Sequence, residues 1–535
     1  MSRRRIEPHA GEQPLFVLDA VIPGASAPVD ADARRLITLD GLADTLFIEA
    51  GAGSGKTSTI VERIVNLVVI EGVELQHIAA ITFTEAAAAE LRDRVRAAFE
   101  RRASDSCDEA LQRCRDALEQ TDIAAISTLH SYAQRVLSEH PIEAGVPPRF
   151  DVLDEVQSIL ALESRWRVWL DAQLADVANH PLIEWSVVLG IEIARRRAAS
   201  LKDIARIFND NWDRLEASMV ADPGPLAPID LDRLHRAAAA VLELADTHRD
   251  PSDKLASFIA ERRSKLETLC TCDDPLETVL TIVSETKWST SQGQKKNWPD
   301  VEHVRSVLKQ LASAAERVVV AAQVAVLDQW RWRLATFTLD AAEQRRREGT
   351  LEFHDLLVLA RRLVRRSPHA RRALHDRYTH IVIDEFQDTD PIQVELVTLI
   401  ATGVDDVGNR PWDALQVEPG RLCFVGDPKQ SIYRFRRADV ALFRDARTRF
   451  APTGAPVSLV QNFRTVPTVL QWINHVFGAL MHGAPPEQQP PYEALVAARN
   501  DSDAGDHRVA LLGGPHYQGY RAEELRALEA ADVVR

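Results

Sequence analysis

"TLFIEAGAGSGKTSTIVERIVNLVVI", residues 45–70, sets the frame for the whole chain. TLFIEA is short and apolar and reads as a buried strand. GAGSGKTST follows, and IVERIVNLVVI continues as a helix. Strand, glycine-rich loop, helix is the order that a phosphate-binding loop requires. Ala50 to Thr57, AGAGSGKT, matches G-x-x-x-x-G-K-[ST] except that Ala50 replaces the first glycine. Gly51, Gly53 and Gly55 let backbone N–H groups curl around an anion, and the helix start adds its positive end. The candidate ligand-contacting positions are Ala50, Gly51, Ala52, Gly53, Ser54, Gly55, Lys56 and Thr57. Lys56 reaches for the β- and γ-phosphates and the Thr57 hydroxyl for Mg²⁺. A glycine turn without a ligand is the alternative, and the flanking strand and helix argue against it.

IVIDEFQDTDP, residues 381–391, places four carboxylates after an apolar run. Like charges this close repel unless a cation joins them. Asp384, at the strand end, suits the second anchor of a Mg²⁺ ion bound with ATP. Glu385 is then placed to orient or deprotonate an attacking water. Asp390 before Pro391 reads as a helix cap.

The chain has 535 residues, enough for several domains. Its net charge of -15 excludes a nucleic-acid coat over the whole surface but allows a local basic groove. Cys107, Cys114, Cys270, Cys272 and Cys423 are odd in number in a long chain, so no disulfide scaffold is expected. Cys270 and Cys272 read as ordinary thiols. No unbroken apolar run reaches the roughly 18 residues of a membrane span. The basic N-terminus is followed by an apolar stretch broken at Asp19 and Pro23, which is not a signal peptide. A cytoplasmic location, no membrane and a flexible tail over residues 1–28 are the expectations.

IAAITFT (78–84) reads as a second strand. An amphipathic helix with Leu91, Val95 and Phe99 on one face follows it. IAAISTLHS (123–131) is a third strand unit. Between about 140 and 340 helical patterns dominate, with Trp166, Trp169, Trp185, Trp212, Trp330 and Trp332 as core aromatics, which reads as an insertion. TKWSTSQGQKKNWP (286–299) is read as a solvated loop. The alternative is a nucleic-acid contact through Lys287, Lys295, Lys296, Trp288 and Trp298. HIVIDEF (380–386) and RLCFVGD (421–427) are further strands. Strands separated by helices predict an α/β fold with a doubly wound parallel sheet. There is no internal repeat at the solenoid scale.

AGAGSGKT, ITFTEAAAAELRDRV, STLHS, IVIDEFQDTDPIQ, FVGDPKQSIYRFRRAD and QNFRT occur in this order. Together they resemble the motifs of superfamily 1 DNA helicases of the UvrD/Rep type. FRRADV and PPRFDVLDE (147–155) lean to the RecB/AddA branch. The resemblance covers about residues 29–475. It implies a P-loop (RecA-like) motor domain over 29–135 and 346–455, with an inserted helical domain over 136–345. An incomplete second RecA-like domain is implied over 456–535. It also implies ATP and Mg²⁺ as cofactors, single-stranded or tailed duplex DNA as partner, and ATP-dependent 3′–5′ translocation or unwinding in repair or recombination.

Carried onto this sequence, the resemblance gives Gln430 as γ-phosphate sensor, assisted by Gln387, and Arg464 as the charge that reaches the γ-phosphate. Phe463 stacks on adenine. Phe83, Thr84, Thr128 and His130 become DNA contacts, and Tyr433 and Phe435 stack on bases beside Arg434, Arg436 and Arg437. There are departures. Glu85 and Ala86 replace the family's Asn and Lys, and Ala33 stands where a glutamine usually reads adenine. No segment after Arg464 matches the family's remaining motifs, so a polypeptide or continuation completing the motor is expected. The other reading is an ATP- and DNA-binding subunit without motor activity of its own. An unrelated P-loop kinase would leave QSIYRFRR and QNFRT unexplained.

Overall fold

The computed structural model describes residues 29–534 apart from 193–199, 219, 435–436, 452–455, 484, 486–489, 491, 500–508 and 510–520. The expected tail at 1–28 lies outside the described residues, as do Phe435 and Arg436. The chain forms two compact units, one of residues 1–144 with 359–535 and one of residues 145–358.

The strands that carry the first unit are β1 (Leu46–Ala50), β2 (Ile78–Thr82), β3 (Ala125–Thr128), β6 (His380–Ile383), β7 (Leu422–Gly426) and β8 (Val457–Leu459). The second unit holds β4 (Asp151–Val152) and β5 (Thr350–Leu351). The six strands of the first unit form one sheet in the order β3-β2-β6-β7-β1-β8. Every neighbouring pair is parallel, with Leu46 opposite Cys423, Ile381 opposite Leu422 and Ala79 opposite Ile381. Parallel strands covered on both faces need continuous apolar runs. LFIEA, IAAIT and LCFVG supply them, and β2 and β7 are buried throughout. Under the strand ends, Phe47, Phe386, Phe424 and Phe443 pack with ring centroids 4.8–5.8 Å apart.

β8 corrects the boundary drawn at 455/456. Its residues pair with β1, with Ile48 opposite Val457 and Ala50 opposite Leu459, so it is the edge of the first sheet. The next described pair is β9 (Gln461–Asn462) with β10 (Val496–Ala497), also parallel.

The second unit is helical. Its 48-residue helix Val301–Glu348 ends at Gly349, whose left-handed φ of 70° a side chain would disfavour. Val304, Leu308, Leu311, Ala315 and Val318 of this helix enter one core, and Val326, Trp330, Leu334 and Phe337 enter a second. By length and composition alone an 18-residue window of this helix, with mean hydropathy 1.3, is apolar enough to cross a membrane. That modifies the expectation from apolar runs, because the apolar residues are spread along a helix whose stripe packs inward. β4 and β5 pair in parallel near the two ends of the unit. This unit spans 145–358 rather than the expected 136–345 because helix Leu129–Glu139 packs on β3 and β2 of the sheet.

Trp166, Trp212 and Trp330 are buried, as the aromatic spacing predicts. The 286–299 segment departs from both of its readings. Trp288 donates to the Ile282 carbonyl at 3.1 Å and Trp298 to Asp253 at 3.0 Å, and both rings are buried. Their indole faces serve the core.

Candidate nucleotide site and DNA-facing residues

β1 delivers the glycine-rich loop at its carboxyl end. Gly53 and Gly55 hold φ of 69° and 80°, and Gly55 begins helix Lys56–Val69 without any side-chain cap. The first-turn N–H groups of that helix are therefore left to a ligand. A Cβ on Gly53 would meet Asn462 Nδ2 at 2.7 Å and Arg464 Cβ at 2.9 Å.

Strand β7 lies between β1 and β6, so the loop and Asp384 stand about 10 Å apart across the sheet. Lys56 spans the gap: its Nζ lies 2.9 Å from Glu385 Oε2. Glu385 holds an unusual left-handed backbone, φ 52°, at the end of β6. Buried Phe386 anchors the next turn in the aromatic cluster, and the Glu385 N–H donates to Asp384 Oδ1 at 2.9 Å. Such backbone strain persists only where packing over-determines it.

The electrostatics follow from this crowding. Burial, reinforced by the Glu385 charge, pushes the Asp384 carboxyl up to about 6. Burial and Glu385 do the same to Asp388, also to about 6. Burial opposes the charge on Glu385 too, but the Lys56 ammonium and the hydrogen bonds from Gln387 and Lys56 outweigh it and hold that carboxyl below its usual range. Asp388 Oδ1 and Ser54 Oγ are buried without a hydrogen-bond partner among the described residues. An uncapped helix start, an orphaned loop hydroxyl and a strand-end carboxyl that disfavours its own charge fit a phosphate with a divalent cation. Thr57 and Asp384 are the residues to hold that cation.

Gln387 links this corner to β7. Its amide nitrogen donates to Glu385 at 2.8 Å, and its carbonyl accepts the Asp427 N–H at 2.9 Å. Gly426 makes room: a Cβ there would meet Gln387 Oε1 at 2.8 Å. Gln430 follows in the turn Pro428–Gln430 and donates to Asp427 Oδ2 at 2.8 Å.

Asn462 organises the other side of the loop. It is buried, donates to the Ala52 carbonyl at 2.7 Å, and accepts from the N–H groups of Arg464 (2.9 Å) and Thr465 (2.7 Å). The Phe463 N–H bonds to the Gly53 carbonyl at 2.8 Å. Arg34 lies over the Phe463 ring at 4.9 Å, grips Asp30, and donates to the Ser54 carbonyl at 2.7 Å. The sequence reading gave neither Asn462 nor Arg34 a role. Asn462 sits inside QNFRT and was open to assignment. Arg34 carries no local signal, because its partners are 20 or more residues away except Asp30.

The DNA candidates are brought partly together. Phe83 and Tyr433 stack on each other, centroids 4.7 Å apart and tilted by 35°. Phe83 and His130 also line a cavity of about 40 Å³ that touches Asp384 and Glu385. Thr84 and Thr128 are helix N-caps, accepting from Ala87 at 3.1 Å and Ser131 at 3.2 Å. The Thr128 and Ser131 hydroxyls donate to Glu85, each at 2.7 Å, and these bonds hold the Glu85 carboxyl below its usual range. The Thr128 hydroxyl expected to face DNA is thus engaged within the protein. Arg437 pairs with Asp390 at 2.8 Å, so that guanidinium also has an internal partner.

The UvrD/REP helicase N-terminal domain family matches residues 30–451. The chain belongs to that family. The helicase domain is also similar to a protein of Staphylococcus haemolyticus (strain JCSC1435) named as the A-type subunit of the ATP-dependent helicase/nuclease. The two are 25% identical over 494 residues, which are 82% of this chain and 38% of that protein. The protein of the same name from Staphylococcus aureus (strain NCTC 8325 / PS 47) is 24% identical over 520 residues, 87% of this chain and 41% of its own. That from Syntrophomonas wolfei is 24% identical over 478 residues, 82% and 37%. The helicase domain with its insertion therefore spans about two fifths of the length of these curated relatives.

Proposed function

We propose that this chain carries the ATP-hydrolysing half of a DNA motor, moving 3′ to 5′ on single-stranded DNA in the cytoplasm during repair or recombination. The observation that carries the reading is the meeting of Lys56 with Glu385 beside a loop onto which Asn462 fixes Phe463 and Arg464. ATP with Mg²⁺ fits there. Lys56 holds the terminal phosphates, Thr57 and Asp384 the cation, and Glu385 the attacking water once phosphate draws Lys56 away. Arg464 supplies positive charge for the transferring phosphoryl group. Gln387, Asp427 and Gln430 form a hydrogen-bonded path from Glu385 to the segment bearing Tyr433, where DNA bases stack. The relatives' name speaks of both a helicase and a nuclease. We extend only the helicase part to these residues, with tailed or single-stranded DNA as substrate and a polypeptide partner completing the motor.

Glu385→Gln tests the reading. The variant keeps the size and the hydrogen bond to Gln387 but loses the base. It should bind Mg·ATP as the parent does, and lose DNA-stimulated hydrolysis by about 10²- to 10⁴-fold. The assay uses the chain together with its completing partner. Equal turnover in variant and parent would remove Glu385 from the reaction. Nucleotide binding with no turnover in either would favour a role in binding alone.

A further inference from the structure

Outside the nucleotide site, His140, Glu143 and His369 bring their ligand atoms within 4.8 Å of one another. His369 Nδ1 and Glu143 Oε1 are 3.5 Å apart, and the two imidazoles meet edge to face with centroids 6.3 Å apart. The backbone beneath is fixed. His140 ends helix Leu129–Glu139, its N–H bonded to the Val136 carbonyl. The Ala144 N–H returns to the His140 carbonyl at 3.0 Å, a turn that puts Glu143, three residues on, beside His140. His369 is set at the start of helix Pro368–Arg377 by Pro368 and the Ser367 cap. The two frames are tied by Arg377 to Glu139 at 2.7 Å and by the Tyr132–Tyr378 ring contact at 5.2 Å.

We propose that His140, Glu143 and His369 form a zinc site. Two imidazoles and one carboxylate with a fourth position open to water is a zinc donor set. Bonds of about 2.0–2.2 Å place tetrahedral ligand atoms roughly 3.4 Å apart. The His369–Glu143 pair already has that separation, and the remaining closure is a rotamer adjustment of side chains that reach solvent. Imidazole donors select zinc over magnesium or calcium, which take oxygen ligands. The site lies at the far end of helix Leu129–Glu139 from Thr128 and His130, about 15 Å away by helix rise. Helix Pro368–Arg377 leads directly into β6 and Asp384. Bound zinc would therefore brace two elements whose other ends carry the proposed DNA and nucleotide contacts.

The test is titration of metal-free, untagged full chain with Co²⁺, then Zn²⁺, read by the visible absorption of tetrahedral cobalt and by thermal midpoint. One equivalent of Co²⁺ should give saturable bands that Zn²⁺ removes, and zinc should raise the midpoint. His140→Ala and His369→Ala should each weaken binding about tenfold or more, and Glu143→Gln less. A Cys270→Ser, Cys272→Ser variant should bind as the parent does. Metal-free variants should keep the parent's circular dichroism, because the three side chains lie at the surface. The same titration curve in the parent and both histidine variants, or no saturable binding below about 100 µM, a weak complex, overturns the proposal.

Discussion

Asn462 shows how one small side chain sets a site. Its amide holds the phosphate loop through Ala52 and fixes the N–H groups of Arg464 and Thr465. A donor that stabilises transition-state charge must be fixed beforehand. Asn462→Ala should therefore lower kcat at least tenfold, about 1.4 kcal/mol, while DNA affinity stays within twofold, about 0.4 kcal/mol. Steady-state ATPase assays with a DNA-binding titration check it. Tyr433 serves the other ligand. Tyr433→Ala should weaken single-stranded DNA binding by about 1–3 kcal/mol, nearly equally for all sequences, because every base offers a stacking face. Fluorescence anisotropy on three homopolymers reads this, and a loss confined to one base would contradict it. His380 governs stability with pH. Burial, with Arg63 and Arg421 nearby, lowers its pKa from 6.5 to about 4. Folding thus favours the neutral ring. That contribution is complete above pH 6.5 and is lost as pH falls towards 4, to a limit of about 3 kcal/mol at 1.4 kcal/mol per unit. Urea midpoints at pH 7 and 4.5 should fall further for the parent than for His380→Asn.

At the scale of elements, the sheet order does the positioning. Placing β7 between β1 and β6 sets Lys56 and Glu385 one long side chain apart. It also makes Gly426 the point where the two halves of the site communicate. Gly426→Ala drives a methyl against Gln387 and Phe443, 2.8 and 3.0 Å away. Overpacking of this kind costs about 1–3 kcal/mol. It should also break the Gln387 link to Asp427, so that basal ATP turnover falls less than its stimulation by DNA. Turnover measured with and without DNA separates the two effects. Helix Pro391–Ala401 is secured in the way its sequence announces: Asp390 accepts from Ile392 at 2.8 Å, and Gln393 accepts from Asp390 at 3.3 Å.

Across the whole molecule, two units separate two jobs. Every nucleotide-site residue named above belongs to the unit of residues 1–144 and 359–535. The other unit has its own buried network. Arg345 is clamped by Asp355 at 2.7 and 2.8 Å and by Asn209 at 3.0 Å, with Glu352 at 3.4 Å. Burial disfavours its charge, and the Asp355 and Glu352 carboxylates more than offset this. Arg345→Met leaves these carboxylates buried without their cation, a loss of about 3–5 kcal/mol. Unfolding of that variant should show an early transition with loss of tryptophan signal, while Mg·ATP affinity measured below that transition is retained. A single transition at the parent's midpoint would refute the independence of the two units.

The elements and the chemistry are written locally in the chain. Apolar runs of strand length, a glycine loop before a helix, Asp390 with Pro391, and carboxylates after IVI are short patterns, and each is legible because its physical cause lies within a few residues. The helical spacing of most tryptophans likewise announces their place in the core. What depends on elements far apart in the chain came from tertiary packing. β8 closes the edge of the first sheet, although QNFRT follows it at once. Trp288 and Trp298 turn inward because acceptors brought up by the fold satisfy their indoles. Glu85, which looked like a repulsive neighbour for DNA, is instead held by Thr128 and Ser131 more than 40 residues away. Arg34 and Asn462 gain their roles only when β1, helix Lys56–Val69 and the strand after β8 converge on one loop. A hydrogen bond needs its two atoms within about 3 Å, and no local pattern specifies a partner brought there by the packing of a sheet.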